Sequence, residues 1–323
     1  VLLGPTKDRF TRSLVAVAAA AALTGCGSSV TSSNEFRSAE LSQEISTALR
    51  QLNYPFGEDP AYAIQMANLQ SRLIADCVRE NGLVMPEPAP EKLEPSRHLV
   101  PSEIELWVTA MDDLGTAVAL SDPELIAELQ APPSNQEPNA IAVPPGYDEI
   151  VYGTDDAGWV EFPLDGGGTV QRPIAGCFGK ATEAMYGVSA VEYERAYMEM
   201  PKIDAIMAEM RGAESLAPHV QAYSRCMKDA GLGVATPSAI GTLVQPAIEG
   251  VVSGEVRLAD LQEREEEIAR ADGACKESSG LGTAAGEHFV DAATKELKER
   301  EGVVQEYRSY IENSRTALVE KGE

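Results

Sequence analysis

The chain has 323 residues, with 26 Lys and Arg against 51 Asp and Glu, giving a net charge of −25. That balance excludes the basic footprint a nucleic-acid binder needs and the polybasic surface that adheres to anionic lipid. Hydrophobic residues make up 44%, enough to bury a core, and with only 6% aromatics that core must be mostly Ala, Leu, Val and Ile.

At the N-terminus, Lys7, Arg9 and Arg12 precede an apolar run from Leu14 to Leu23. The run is too short to span about 30 Å of hydrocarbon but suits the core of a signal peptide. It ends in Leu23-Thr24-Gly25-Cys26, which resembles the lipobox of bacterial lipoprotein precursors. The resemblance implies cleavage before Cys26 and a diacylglyceryl group, with fatty acyl chains of the palmitate kind, on its thiol. Residues 1–25 are then expected to be a lipoprotein signal peptide, and residues 26–35, rich in Ser and Gly, a flexible tether. No twin-Arg pair is present, which favours the general secretion route. Losing three bases and one acid would take the charge from −25 to −27. Two acyl chains, at roughly 0.8 kcal/mol per buried CH₂, suffice for stable anchoring. The expected location is the extracytoplasmic face of the cell membrane, with the bilayer as a partner through Cys26.

Residues 36–52 and 60–82 read as helices, the second with Tyr62, Met66, Leu69, Leu73 and Cys77 on one face. A connector with Pro86, Pro88, Pro90, Pro95 and Pro101 follows, and Ser102 opens a short helix through Ile104, Trp107, Val108 and Met111. From Ala131 to Gly176, Pro and Gly are frequent and helical periodicity is lost. Within that insertion, 159–162 and 169–172 flank Asp165-Gly166-Gly167-Gly168 and read as a β-hairpin. Tyr147, Tyr152, Trp159 and Phe162 gather there. They form a candidate recognition surface, or alternatively a satellite cluster packed under the loop.

Gly176-Cys177 opens a helix that closes at Tyr186-Gly187. The remainder reads as helices over 189–211, 213–231, 237–248, 256–278 and 284–321. Cys226 shares a face with Leu216, Val220, Tyr223 and Met227, and Cys275 follows Leu261 and Ile268 at steps of seven. In the last helix Val290, Leu297, Val304, Ile311 and Leu318 repeat at seven, with Ala293, Arg300, Tyr307 and Ser314 between them. Such a one-sided seam favours docking on the protein's own bundle over a coiled coil with a partner, and Gly302 should weaken the middle.

In an exported chain Cys77, Cys177, Cys226 and Cys275 read as two disulfides. The contexts of two of them match: Cys77-Val-Arg-Glu-Asn-Gly82-Leu83 and Cys226-Met-Lys-Asp-Ala-Gly231-Leu232 share Cys, apolar, base, acid, any, Gly, Leu. Gly82 and Gly231 fall where a helix takes a left-handed cap. The simplest connectivity is Cys77 with Cys177 and Cys226 with Cys275, although the spacing leaves the other two pairings open.

The order of these contexts carries a second resemblance. A lipobox, Cys77 to Gly82, Gly176-Cys177-Phe-Gly-Lys-Ala181 ending in Tyr186-Gly187, Cys226 to Gly231, and Ala271-Asp-Gly-Ala-Cys275 together look like a group of exported actinobacterial lipoproteins of unassigned function. The likeness spans about residues 68–290. It implies an extracytoplasmic, helix-rich, disulfide-linked protein and transfers no catalytic residues.

Other chemistry finds little support. Gly280-Leu-Gly282-Thr-Ala-Ala-Gly286 lacks the preceding strand of a dinucleotide loop and reads as a helix-to-helix turn. Asp155, Asp156 and Asp165 fit no calcium loop, and His98, His219 and His288 stand at no metal-ligand spacing from a cysteine. The acidic run Glu263, Glu265, Glu266 and Glu267 reads as a solvated helix face. No catalytic set, metal site or cofactor is expected. The fold expected is a mostly α ectodomain of two related disulfide-bridged halves, 36–187 and 188–323, with a small hairpin in the Pro/Gly-rich insertion. The function expected is a non-catalytic binding or scaffolding module of the cell envelope, with an envelope protein as partner. The alternatives are a cell-wall hydrolase using paired carboxylates, which needs two converging acids, and a solute-binding receptor, which needs βαβ lobes.

Overall fold

A computed structural model describes residues 32–54, 60–84, 102–109, 111, 114–130, 144–154, 158–164 and 167–321. The expected signal peptide, Cys26, the Pro-rich connector, His98, Asp155, Asp156 and Asp165 lie outside the described residues.

The chain is mostly helical, with one small antiparallel hairpin and both expected disulfides. The helices of the first half are α1 (Ser32–Leu52), α2 (Pro60–Glu80), α3 (Glu103–Val108), α4 (Thr116–Leu120), α5 (Pro123–Gln130), α6 (Tyr147–Tyr152) and α7 (Gly176–Tyr186). Between α6 and α7 lie β1 (Trp159–Pro163) and β2 (Thr169–Pro173). The second half contains α8 (Ala190–Glu199), α9 (Ile203–Gly212), α10 (Ala217–Asp229), α11 (Gly241–Ser253), α12 (Leu258–Ser279), α13 (Leu281–Glu299) and α14 (Glu301–Lys321).

Several boundaries differ from the sequence reading. α1 begins at Ser32, inside the expected tether. The expected helix over 189–211 is two helices, since Pro201 holds Met200 in an extended conformation, ψ 142°. The expected helix over 284–321 is also two, interrupted at Arg300 two residues before Gly302. α3 stops at Val108 rather than reaching Met111, and the insertion expected to be irregular contains α6.

The chain divides into two compact units that interleave in sequence and do not coincide with the sequential halves 36–187 and 188–323. One takes its described residues from Thr47–Glu94, Gln136–Ala205 and Ala293–Glu323. There α7 packs on α2, α6, α8 and α14. The core gathers Tyr62, Met66 and Leu69 from α2, Met185 and Tyr186 from α7, and Val304, Tyr307 and Ile311 from α14. The seam of α14 is therefore spent on this unit's own core, and Ser314, at one of the polar seam positions, meets the Tyr62 hydroxyl. The face of β1 and β2 that carries Phe162 turns inward, and Arg172 of β2 lies 3.6 Å from Glu194 of α8.

The other unit takes its described residues from Val1–Ser46, Pro95–Asn135 and Ile206–Ala292. Its hub is α12, which packs on α10, α11 and α4. Leu261, Ile268 and Cys275 are fully buried along it, as their seven-residue spacing predicts. α3 opens on a capping box in which Ser102 and Glu105 satisfy each other's free backbone N–H groups. Trp107 of the same helix donates from Nε1 to Ser238 Oγ at 2.7 Å.

The two units share a structural signature. After Cys77, Gly82 N–H reaches Arg79 O at 3.0 Å and Leu83 N–H reaches Val78 O at 3.2 Å. After Cys226, Gly231 N–H reaches Lys228 O at 3.0 Å and Leu232 N–H reaches Met227 O at 2.8 Å. Both glycines are left-handed, φ 84° and 82°. This paired bonding is the Schellman helix stop, and it makes the related contexts geometrically equivalent. Each bridged cysteine sits one turn ahead of the same cap.

Candidate functional site

The four aromatic residues singled out in the insertion lie in the Cys77–Cys177 unit, and most of them are packed. Tyr147 and Tyr152 project from α6 against a small buried group of Cys77, Val78, Val151 and Cys177. Burial raises both phenols above their ordinary pKa. The Tyr152 ring lies 5.6 Å from Trp159 and 6.4 Å from Phe178. Phe162 is buried, whereas Trp159 remains 37% exposed. Trp159, Glu161 and Pro163 share the outward face of the hairpin with their partners Pro173, Gln171 and Thr169. On that face Gln171 Nε2 donates to Glu161 Oε1 at 3.1 Å. The hairpin thus offers one indole, held by Tyr152 behind it, beside a carboxamide–carboxylate pair.

The four cysteines are joined as Cys77–Cys177 and Cys226–Cys275, each bond inside one unit. Asn81 Nδ2 donates to Cys77 O at 2.8 Å, closing the end of α2 over the first bond.

A cluster that the sequence reading missed lies along the buried face of α12. Glu265, in the run expected to be solvated, is 1% exposed. Its two carboxylate oxygens accept from Thr116 N–H and Ala117 N–H at 2.8 Å each. α4 starts after left-handed Gly115, which has no side chain to cap it, so Glu265 supplies the acceptors its free N–H groups require. Two turns further along, Asp272 and Lys276 form an i,i+4 ion pair with side chains 0% and 3% exposed. Tyr223 of α10 donates its hydroxyl to Asp272 Oδ1 at 2.7 Å, and Lys276 Nζ donates to Thr109 O at 2.7 Å. Burial is the dominant influence on both members: it raises the Asp272 carboxyl and lowers the Lys276 amine, and their mutual attraction opposes it. Each is thereby drawn toward its neutral form. Burial next to Asp272 also pushes the Tyr223 phenol up. The signal for this cluster was present in the sequence, because Glu265 and Asp272 stand four residues after Leu261 and Ile268 on the apolar stripe.

Chemically, Glu265 and Asp272 are separated by about 10 Å of helix rise and each is engaged by its own donors, so they do not converge on one bond. A shallow cavity of about 600 Å³ opens between α5 and α11, lined by Leu129, Gln130, Ile248, Glu249 and Val252. Among its described lining side chains Glu249 is the one carboxylate. Among the described residues no group of three or more His, Cys, Asp or Glu is placed to hold a metal ion. No helix among them is long and apolar enough to cross a membrane. No known protein family matches the chain, and neither a curated protein nor a solved structure gives a significant match.

Proposed function

We propose that the protein is a lipoprotein of the bacterial cell envelope, acylated at Cys26 and held on the extracytoplasmic face of the membrane, where it acts as a non-catalytic binding or scaffolding module. The observation that carries this reading is the N-terminal series of three bases, a short apolar run and Leu23-Thr24-Gly25-Cys26. Two disulfides in helical units support it, since such bonds persist in oxidising compartments. The resemblance to exported actinobacterial lipoproteins belongs to the same proposal. The engaged state of the buried acids on α12 favours a structural role for them. The outward face of the hairpin around Trp159 is the recognition surface for an envelope partner.

The test is fractionation of cells expressing the full chain and its Cys26→Ala variant after feeding a clickable fatty acid. The wild-type chain is expected to carry label and to sediment with membranes, and the variant to carry none. Label on the variant, or no label on the wild type, overturns the anchor. Binding is tested separately by proximity labelling in the native envelope. Trp159→Ala is expected to lower transfer to a specific neighbour at unchanged protein level.

A further inference from the structure

We propose that Lys276 and Asp272 condense into an intramolecular isopeptide bond, an amide from Lys276 Nζ to Asp272 Cγ within α12. The proposal rests on the placement of four groups in the Cys226–Cys275 unit and is independent of membrane anchoring.

Lys276 Nζ is in direct hydrogen-bond contact with Asp272 Oδ2, and the i,i+4 spacing on a helix keeps the two chains facing each other. The side chains are 3% and 0% exposed, so they are held together away from bulk water. An ion pair in such a place bears a desolvation penalty that its attraction offsets only in part. Moving one proton from the ammonium to the carboxylate relieves that penalty and leaves a neutral amine touching a carboxylic acid. Burial favours both neutral forms.

The neighbours suit the next step. Tyr223 O–H points at Asp272 Oδ1 from 2.7 Å, where it polarises the carbonyl and stabilises the negative charge that develops as the amine adds. Thr109 O accepts from Nζ at 2.7 Å and orients the amine. The Nζ lone pair attacks Cγ and a C–N bond forms. The C–OH bond then breaks, and the acid hydroxyl leaves with one amine hydrogen as water. The balance is amine plus acid giving amide plus water, with no oxidant or cofactor. Replacing a buried ion pair with a neutral amide removes two desolvated charges from the core of the unit.

The experiment is peptide mass spectrometry on the purified full chain, reduced, alkylated and digested with trypsin. With the bond in place, Lys276 is no longer a cleavage site, so the expected product is Ala271–Lys295, lighter than its sequence mass by one water. Recovery of Ala271–Lys276 at its sequence mass overturns the proposal. So does Ala271–Lys295 without the loss of water. The chemical rival is a succinimide at Asp272-Gly273, which also loses water but leaves the Lys276 amine free. It would appear as a dehydrated Ala271–Lys276, and that product likewise overturns the proposal.

Discussion

Glu265 shows how one side chain can define a neighbouring helix. Its carboxylate provides acceptors for the first two N–H groups of α4, which Gly115 cannot cap. Hydrogen bonds to a buried charged group are worth about 1.5–3 kcal/mol each, and removing the acceptor leaves donors desolvated and unmatched. Glu265→Ala is therefore expected to lower unfolding stability by about 3–5 kcal/mol. Glu265→Gln, which keeps one acceptor, should lose roughly half of that. Urea denaturation of the two variants beside the wild type checks the order; equal stability of all three would show that α4 needs no cap. The difficulty of reading this residue from sequence is physical. In an acidic run the usual fate of a glutamate is solvent, and only the donor it meets, 148 to 149 residues away, reverses that preference. Its place on the Leu261–Ile268 stripe was legible, whereas the demand from Gly115 was not.

Among the elements, periodicity located the helices well and their ends less well. The seven-residue spacing of Leu261, Ile268 and Cys275 correctly identified the inner face of α12, and the cysteine contexts correctly marked where α2 and α10 stop. The break at Pro201 was written in the sequence, and Gly302 marked a weak point near the interruption at Arg300 without fixing its place. There the i→i−4 bonds persist on both sides, from Arg300 N–H to Glu296 O at 3.1 Å and from Val304 N–H to Arg300 O at 3.0 Å. Short helices such as α4 and α6 escaped because a single turn or so contains too few apolar repeats to reveal a period. The matched caps give a symmetric prediction. A Cβ at Gly82 or Gly231 would meet nothing within 4 Å, so steric contact is no factor and only the left-handed backbone penalises substitution. Gly82→Ala and Gly231→Ala are each expected to lower stability by about 1 kcal/mol, and the double variant by about 2 kcal/mol. Thermal melts of the three variants read this directly. A much larger loss at one site would break the equivalence of the two caps.

For the whole molecule, charge and covalent linkage set the working range. Tyrosine is concentrated in the Cys77–Cys177 unit, where Tyr186 stacks on Tyr193 with ring centroids 3.8 Å apart and Tyr193 lies 6.0 Å from Tyr307. Burial pushes Tyr62 up to about 12 and raises Tyr186, Tyr193 and Tyr307 above the ordinary phenol value. In the unfolded chain these phenols ionise near 10. Between that pH and the folded values the folded state binds more protons, so unfolding free energy falls as pH rises. Their contribution is intact below about pH 10 and is lost progressively toward pH 12 and above. Alkaline titration should show tyrosinate absorbance and loss of helical signal rising together; full ionisation with the helices intact would contradict the burial. The bonds close spans of 100 and 49 residues. The chain-entropy relation gives about 5 and about 4 kcal/mol for them, so reduction should lower the midpoint of urea unfolding steeply.

The order of those bonds along the chain has a consequence for biogenesis. The cysteines beyond residue 26 are joined in consecutive pairs, Cys77 with Cys177 and then Cys226 with Cys275. A chain threaded N-terminus first into an oxidising compartment presents its thiols in that same order, so each partner is the first new thiol to arrive. If the chain is exported as proposed, stepwise oxidation produces the native set without reshuffling, and maturation should be independent of disulfide isomerase. On the export proposal Cys26 precedes Cys77 and is its natural wrong partner. Acylation would remove that competitor, so blocking lipid transfer while leaving Cys26 in place should yield mispaired chains that the Cys26→Ala variant does not form.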